Sequence, residues 1–387
     1  MNNSREKTLY LRVNKREAQE LIDLISKLYP NNKMLNDRYK IMKGRNNIFF
    51  PLKINPNQIE HLKQQIKGKL HVKVVKKYGE KRKDYKYKTL EEALEGKIPE
   101  KYFDLIPKSY DIIGDIAIVE FNEIEQLGDN ERIKKKISMA VIEVNKNVKT
   151  VYEKIGKVSG DYRTRELRFL MGFKKSETIH RENNCQFKLD IEKTFFTPRL
   201  INERRKISHL KIRKAETIVD LFAGVGPFSI QIAKLHKVKI YAFDKNPHAY
   251  EYMKENLQLN DIRGEIFPFN MDVADLINPH NKIGIKLKNK VNRVIMNLPE
   301  HALYFLNVAC HLINPKGGII HIYLFSEKPN TIKKAKKKFQ EKIEGLNYYI
   351  DEISRAKIVK SYSPKSNMII IDAFVRKNQT HLKGNFK

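Results

Sequence analysis

Cysteine is scarce in this chain: two residues in 387, Cys185 and Cys310. Two thiols in strand-like or helical surroundings exclude a disulfide framework and read as buried and reduced. The eleven histidines are scattered without metal-ligand spacing, so no structural zinc or other metal site is expected. No apolar run approaches the length that spans a bilayer, and no signal-like apolar core opens the sequence. A cytoplasmic location is expected. Acids are few beside bases, 45 Asp and Glu against 76 Lys and Arg, which leaves a formal charge of +31. Such an excess favours a polyanionic partner, because each cation that neutralises a phosphate releases a counterion. Repeats and low-complexity tracts are missing as well. The length suits two or three domains with real cores.

The most informative stretch present is Asp220-Leu221-Phe222-Ala223-Gly224-Val225-Gly226-Pro227-Phe228-Ser229-Ile230. It reads as a buried strand (217–222), a glycine turn, and a helix opened by Pro227, whose missing N–H has no intrahelical partner to lose. Gly224 and Gly226 allow close approach of backbone to a ligand. A dinucleotide fingerprint wants a third glycine where Ser229 stands, which argues against NAD. A second acid, Asp244, closes the apolar run 238–243, where a carboxylate can accept both hydroxyls of a ribose. A third strand near 265–269 delivers Asp272 to the same edge, within reach of an adenine amine. Acids at three successive strand ends suit a nucleoside with little negative charge of its own, and S-adenosylmethionine fits better than NAD or ATP.

The remaining C-terminal runs complete a sheet. Strands are expected over 291–296 and 319–325, with a helix to about 313 between them. A lysine-rich helix (about 331–343) follows, then two β-rich runs, 353–360 and 368–375. The short turn Ser361-Tyr362-Ser363-Pro364 forces that last pair to be antiparallel. Seven strands, five helix-linked and two in a terminal hairpin, resemble the class I (Rossmann-like) methyltransferase fold. Two smaller α/β domains are expected ahead of it: residues 1–70, with a strand at 9–13, a helix at 17–28, a strand at 47–52 and a helix near 56–66, and residues 71–198. The latter opens on a basic stretch, 72–88, whose eight cations interleave with Tyr78, Tyr85 and Tyr87. Its low apolar content suggests a mobile linker suited to nucleic acid. One strand over 112–121, a helix over 131–144, a strand over 148–155 and strands near 177–181 and 186–191 fill the rest.

Five segments carry a resemblance to a known family. They are the glycine turn, Asp244-Lys245-Asn246-Pro247-His248-Ala249, Phe195-Phe196-Thr197-Pro198-Arg199-Leu200-Ile201-Asn202-Glu203-Arg204, Asn297-Leu298-Pro299-Glu300, and Lys360-Ser361-Tyr362-Ser363-Pro364. Together they resemble the archaeal–eukaryotic type of tRNA (guanine-37-N1) methyltransferase, specifically across about 150–380 and more loosely before that. The resemblance implies methyl transfer from S-adenosylmethionine to N1 of guanosine 37, with the tRNA engaged at its anticodon loop and, through residues 1–70, at its elbow. A monomer is expected.

By the same resemblance, Glu203 is the general base and Arg163, the first arginine of Arg163-Thr164-Arg165-Glu166-Leu167, stabilises charge on O6. The chemistry needs both: guanine N1 carries a proton at neutral pH, and removing it leaves negative charge on O6. Asn297 is expected at the guanine edge or the cofactor pocket. The expected cofactor-binding residues are Asp220, Phe222, Gly224, Gly226, Asp244, Lys245, Asp272, Val273, Asn297 and Arg204. Phe195 departs from a position that is often Tyr in the family. Asn202 reads as a helix N-cap, which would place Glu203 in a first turn that stabilises its charge and weakens it as a base. Two rivals remain: a wybutosine-pathway enzyme (aminocarboxypropyl transfer, which would share the Asp220 and Asp244 features while the Asn297-Leu298-Pro299 and Pro198–Arg204 segments favour methyl transfer, or added methylation of a wyosine precursor) and a non-catalytic RNA-binding protein that keeps the cofactor pocket.

Overall fold

The computed structural model describes residues 6–29, 34–53, 60, 61, 63–65, 70–82, 84–121, 130–156, 160 and 162–378. They belong to two compact units, Met1–Lys88 and Thr89–Lys387.

In the first unit, β1 (Glu6–Asn14), β2 (Met42–Lys43), β3 (Asn47–Pro51) and β4 (Lys73–Gly79) form an antiparallel sheet ordered β2-β3-β1-β4. The helix α1 (Ala18–Leu28) follows a turn capped by Asn14, whose side chain accepts from the Arg16 N–H. Ala18, Leu21 and Ile25, at helical spacing, bury against Leu11, Val13, Phe50 and Leu52.

Strand β4 overturns the first half of the linker expected over 72–88. It is paired along β1, with Lys76 opposite Leu9 and Val75 opposite Tyr10. Its three lysines are exposed and its two valines half-buried. A strand with one face in water needs few apolar residues, so low apolar content marked exposure rather than absence of structure. The first unit therefore runs to Lys88 rather than to residue 70. The helix expected near 56–66 falls largely outside the described residues.

The second unit opens with α2 (Leu90–Leu94), followed by a four-stranded sheet of β5 (Asp111–Ile113), β6 (Ile116–Val119), β7 (Thr150–Lys154) and β8 (Leu167–Gly172). The helix α3 (Asn130–Val144) carries the chain from β6 to β7, which pair in parallel. The single strand expected over 112–121 is a hairpin. Gly114 turns it at φ 58°, and a Cβ there would lie 2.1 Å from the Thr178 hydroxyl. A second hairpin, β9 (Glu177–Glu182) and β10 (Cys185–Asp190), leads to the C-terminal lobe.

That lobe comprises α4 (Ile201–Ser208), β11 (Thr217–Asp220), α5 (Pro227–Leu235), β12 (Lys239–Asp244), α6 (Pro247–Leu259), β13 (Glu265–Asn270), α7 (Lys282–Leu287), β14 (Arg293–Met296), α8 (Leu306–Leu312), β15 (Gly318–Glu327), α9 (Thr331–Gly345), β16 (Tyr348–Ser363) and β17 (Ser366–Lys377). Its seven strands lie in the order β13-β12-β11-β14-β15-β17-β16. The first five are parallel and β17 runs antiparallel between β15 and β16, as the class I pattern requires. Strand order reverses between β11 and β14, which opens a crevice at their carboxyl ends. Among the described residues no helix is long and apolar enough to cross a membrane.

The lobes of the second unit share a core: Ile116 and Phe187 pack with Val225, Ile230 and Ala249. Asn256, fully buried, is the polar joint between them. Its Oδ1 accepts from the Lys188 N–H at 2.7 Å, and its Nδ2 donates to the carbonyls of Lys188 and Val225 at 3.0 Å. Asn256→Ala leaves one buried and two part-buried backbone groups without this partner and is expected to cost about 1–3 kcal/mol. Urea denaturation checks this; a midpoint unchanged at constant slope would contradict it.

Candidate active site

The glycine turn is held from behind. Asp220 is fully buried and takes no part in lining the cleft. One of its oxygens accepts from the Ser229 hydroxyl at 2.9 Å, while Oδ1 has no partner among the described residues. Ser229, standing where a third glycine was missing, thus serves the structure by tying α5 to the end of β11. Burial pushes the Asp220 carboxyl up to about 7, against the pull of Ser229 and the Phe222 N–H. Gly226 adopts φ 88° as the N-cap of α5, and a Cβ there would meet Ile230 and Met253 at 3.1 Å. Gly224 adopts φ 56°, but an added Cβ would meet nothing nearer than the Phe195 carbonyl at 3.8 Å. Gly226 therefore serves packing, whereas Gly224 leaves its outer side open to the cleft.

Asp244, at the end of β12, bonds two backbone amides: Gly224 at 2.7 Å and Asn246 at 2.9 Å. Burial raises its carboxyl above the usual range, and these amides with Lys245 oppose that rise. Asn246 caps α6 through the His248 N–H. Asp272 caps the turn Val273–Ile277 by accepting from the Ala274 N–H at 2.9 Å. Phe222, Gly224, Asp244, Lys245, Asp272, Val273 and Asn297 all line one cleft of about 1110 Å³. Asn297 Oδ1 is buried without a partner among the described residues.

The opposite wall comes from the middle lobe and its connection. Arg163, in a left-handed turn at φ 56°, bonds Glu300 at 2.5 Å. Phe195 lies under both Arg163 and Arg165, 5.8 and 5.6 Å from ring centre to guanidinium. Arg165 is fixed by Asp111 and the Phe196 carbonyl. Arg204 reaches the cleft wall, but its guanidinium is bound by both oxygens of Glu182 and by the Thr197 carbonyl. It is committed to protein partners, which weighs against its expected grip on a cofactor carboxylate.

Glu203, like Asp220 and Gly226, is not brought to the cleft. It is buried, and its neighbours Leu200 and Arg204 line the cavity while it does not. Its carboxylate pairs instead with Arg355 and Lys357, each at 3.0 Å, and with Lys206 at 3.5 Å. Arg355 continues to Asp372 at 2.5 Å, Asp372 to His321 at 2.7 Å, and His321 to Arg293 at 2.6 Å. Asn202 is not the N-cap either: α4 starts at Ile201, after a turn capped by Thr197. Thr197 wins because Pro198 fits the first position behind it.

Sequence patterns alone missed two lining features. Lys360 faces the cleft, where burial, then Arg199 and Arg165, push its ammonium pKa down. Tyr362 stacks on Phe325 with ring centres 3.9 Å apart and reaches Glu300 at 3.4 Å. Both lie in the turn segment the sequence singled out, but their partners are remote in the chain. No group of three or more His, Cys, Asp or Glu among the described residues is placed to hold a metal.

Comparison with known proteins places these features in a lineage. Residues 178–350 match the TRM5/TYW2 methyltransferase domain, and residues 90–176 match the TYW2 N-terminal domain. A tRNA (guanine(37)-N(1))-methyltransferase Trm5b of Pyrococcus abyssi is 37% identical over 282 residues, 71% of this chain and 77% of the relative. The Trm5b of Methanocaldococcus jannaschii is 33% identical over 372 residues, 95% of this chain and 99% of the relative. Among solved structures, a complex of aTrm5 with tRNALeu is similar with a TM-score of 0.68 and 31% identity, covering 95% of this chain and 100% of that one.

Asp220 gives the fold a pH signature. Its carboxyl sits at about 7 in the fold against 3.8 as a free side chain, so the folded state favours its neutral form. That stabilisation is complete below the unfolded value and is lost as pH rises through 7. Melting of the cofactor-free protein should therefore fall relative to Asp220→Asn between pH 4 and 8. A difference independent of pH would contradict this.

Proposed function

The chain belongs to the TRM5/TYW2 methyltransferase family, and from that premise we propose that it methylates N1 of guanosine 37 in tRNA, using S-adenosylmethionine. One observation carries the reading: the acids and glycine of the strand tips and Arg163 of the middle lobe face each other across a single cleft. The cleft suits a nucleoside donor. Gly224 leaves room for it, Asp244 keeps lone pairs beyond its two amide bonds, and the orphaned Asn297 Oδ1 awaits a donor group. Bound there, S-adenosylmethionine supplies the methyl group from its sulfonium.

The chain's own residues then divide the work in three. Asp244 and Asp272 fix the nucleoside. Arg163 donates to guanine O6, where charge develops as N1 loses its proton. Glu203 accepts that proton after exchanging Arg355 and Lys357 for the base, the family role resting on its match to the Pro198-Arg199-Leu200-Ile201-Asn202-Glu203-Arg204 segment. The target leaves its stack in the anticodon loop, at a cost of a few kcal/mol, to enter the cleft. The first unit meets the tRNA elbow, and the exposed Lys73, Lys76, Lys77 and Tyr78 of β4 offer cations and a ring for it.

Mapping the modified nucleotide after incubating the enzyme, the donor and a tRNA transcript tests the whole reading. N1-methylguanosine at position 37 is expected. An aminocarboxypropyl adduct, the rival suggested by the match of residues 90–176, differs in mass and would replace this function. Asp244→Ala is expected to weaken cofactor binding at least about tenfold, since it also frees the Gly224 turn; an unchanged calorimetric affinity would refute the ribose assignment. Glu203→Gln should slow single-turnover methylation about a hundredfold or more with cofactor affinity retained. A full rate accompanied by a lower melting temperature would reduce Glu203 to a brace for Arg355.

A further inference from the structure

Glu300 stands where the family resemblance assigns no role, yet it is the carboxylate opposite Arg163 in the cleft. Its backbone is fixed. The Leu298 carbonyl accepts from the N–H groups of His301 and Ala302, and the Pro299 carbonyl accepts from the Phe325 N–H at 3.2 Å. The side chain is not fixed in the same way. It is about one-third exposed and held by Arg163 at 2.5 Å and by the Tyr362 hydroxyl at 3.4 Å, with Tyr362 braced by its stack on Phe325. Exposed pairs of this kind contribute at most about 1 kcal/mol and part readily.

Guanine presents three groups in a row: O6 accepts, N1–H donates, and the N2 amine donates. An arginine beside a carboxylate is the complement of that edge, one partner for O6 and one for the amine. Adenine offers a donor where Arg163 needs an acceptor and nothing where Glu300 needs a donor. We propose that Glu300 determines base specificity: as the Arg163–Glu300 pair opens, Arg163 takes O6, Glu300 takes the N2 amine, and N1 is left bracketed between them. In the closed pair each side chain satisfies the other, so neither charge is stranded before the base arrives. The proposal rests on the guanine-N1 reading above.

The test compares transcripts carrying guanosine or inosine at position 37, inosine lacking only the N2 amine. Wild type should prefer guanosine by about tenfold or more in kcat/KM, the discrimination typical of a paired base-edge contact. Glu300→Ala should lose activity on guanosine by about that factor more than on inosine, so that the preference collapses, with cofactor affinity by calorimetry unchanged. Glu300→Gln, which keeps the side chain's size and one acceptor, should retain part of the preference and guards against a folding defect in the alanine variant. Equal losses on both transcripts, or a preference that survives Glu300→Ala, would overturn the proposal while leaving N1 methylation standing. Failure of wild type to form N1-methylguanosine would instead remove the parent reading, and this one with it.

Discussion

The carboxylate of Asp244 organises the site. It holds the amides of Gly224 and Asn246, and its own carbonyl receives the Asn270 side chain at 3.0 Å and the Met271 N–H at 3.2 Å. One residue thus ties together the turn after β11, the start of α6 and the turn after β13. Charged acceptors make the stronger backbone bonds, and partial burial strengthens them further. Gly224 keeps its left-handed conformation because its N–H has that fixed target, and the floor of the cleft follows from it.

Around this clamp the charges fall into two groups with different freedom. Arg165 and Arg204 are pinned by carboxylates and carbonyls and act as framework. Among the described residues Arg163 and Glu300 hold each other, Arg163 also lying over the Phe195 ring and Glu300 weakly meeting Tyr362, so theirs is the looser pair. Behind the wall a third set runs Glu203–Arg355–Asp372–His321–Arg293 through the sheet. Arginine can only donate, so His321 Nε2 must accept from Arg293 and its Nδ1–H must donate to Asp372. His321 is therefore neutral, in keeping with burial lowering its pKa. A catalytic role for Glu203 would require it to leave this chain of partners.

The C-terminal sheet was legible because its strands are buried on both faces and appear as plain apolar runs between helix signals. Strand β4 was not, since a half-exposed strand rich in lysine looks like a solvated tail until its partner β1 is known. Gly114 split an apparently continuous strand because one glycine in an apolar run does not reveal whether it bends or merely lies flat. That Gly224 and Asp244 would meet at one sheet edge could be read from local spacing, since both lie within one βαβ unit. The placement of Glu203 could not. Its partners Arg355 and Lys357 come from a strand some 150 residues later, and nothing near Glu203 announces them.

Strand β17 lies inside the sheet, hydrogen-bonded to β15 on one side and β16 on the other, although it is the last of the described strands in sequence. During synthesis the five parallel strands and β16 emerge first, and the free edge of β15 has no partner until residues 366–377 leave the ribosome. That edge, from Gly318 to Glu327, is mostly apolar and buried in the finished protein. An unpaired apolar edge invites wrong partners. Any lobe that forms before those residues emerge carries this apolar edge bare, and only the last hairpin can cover it.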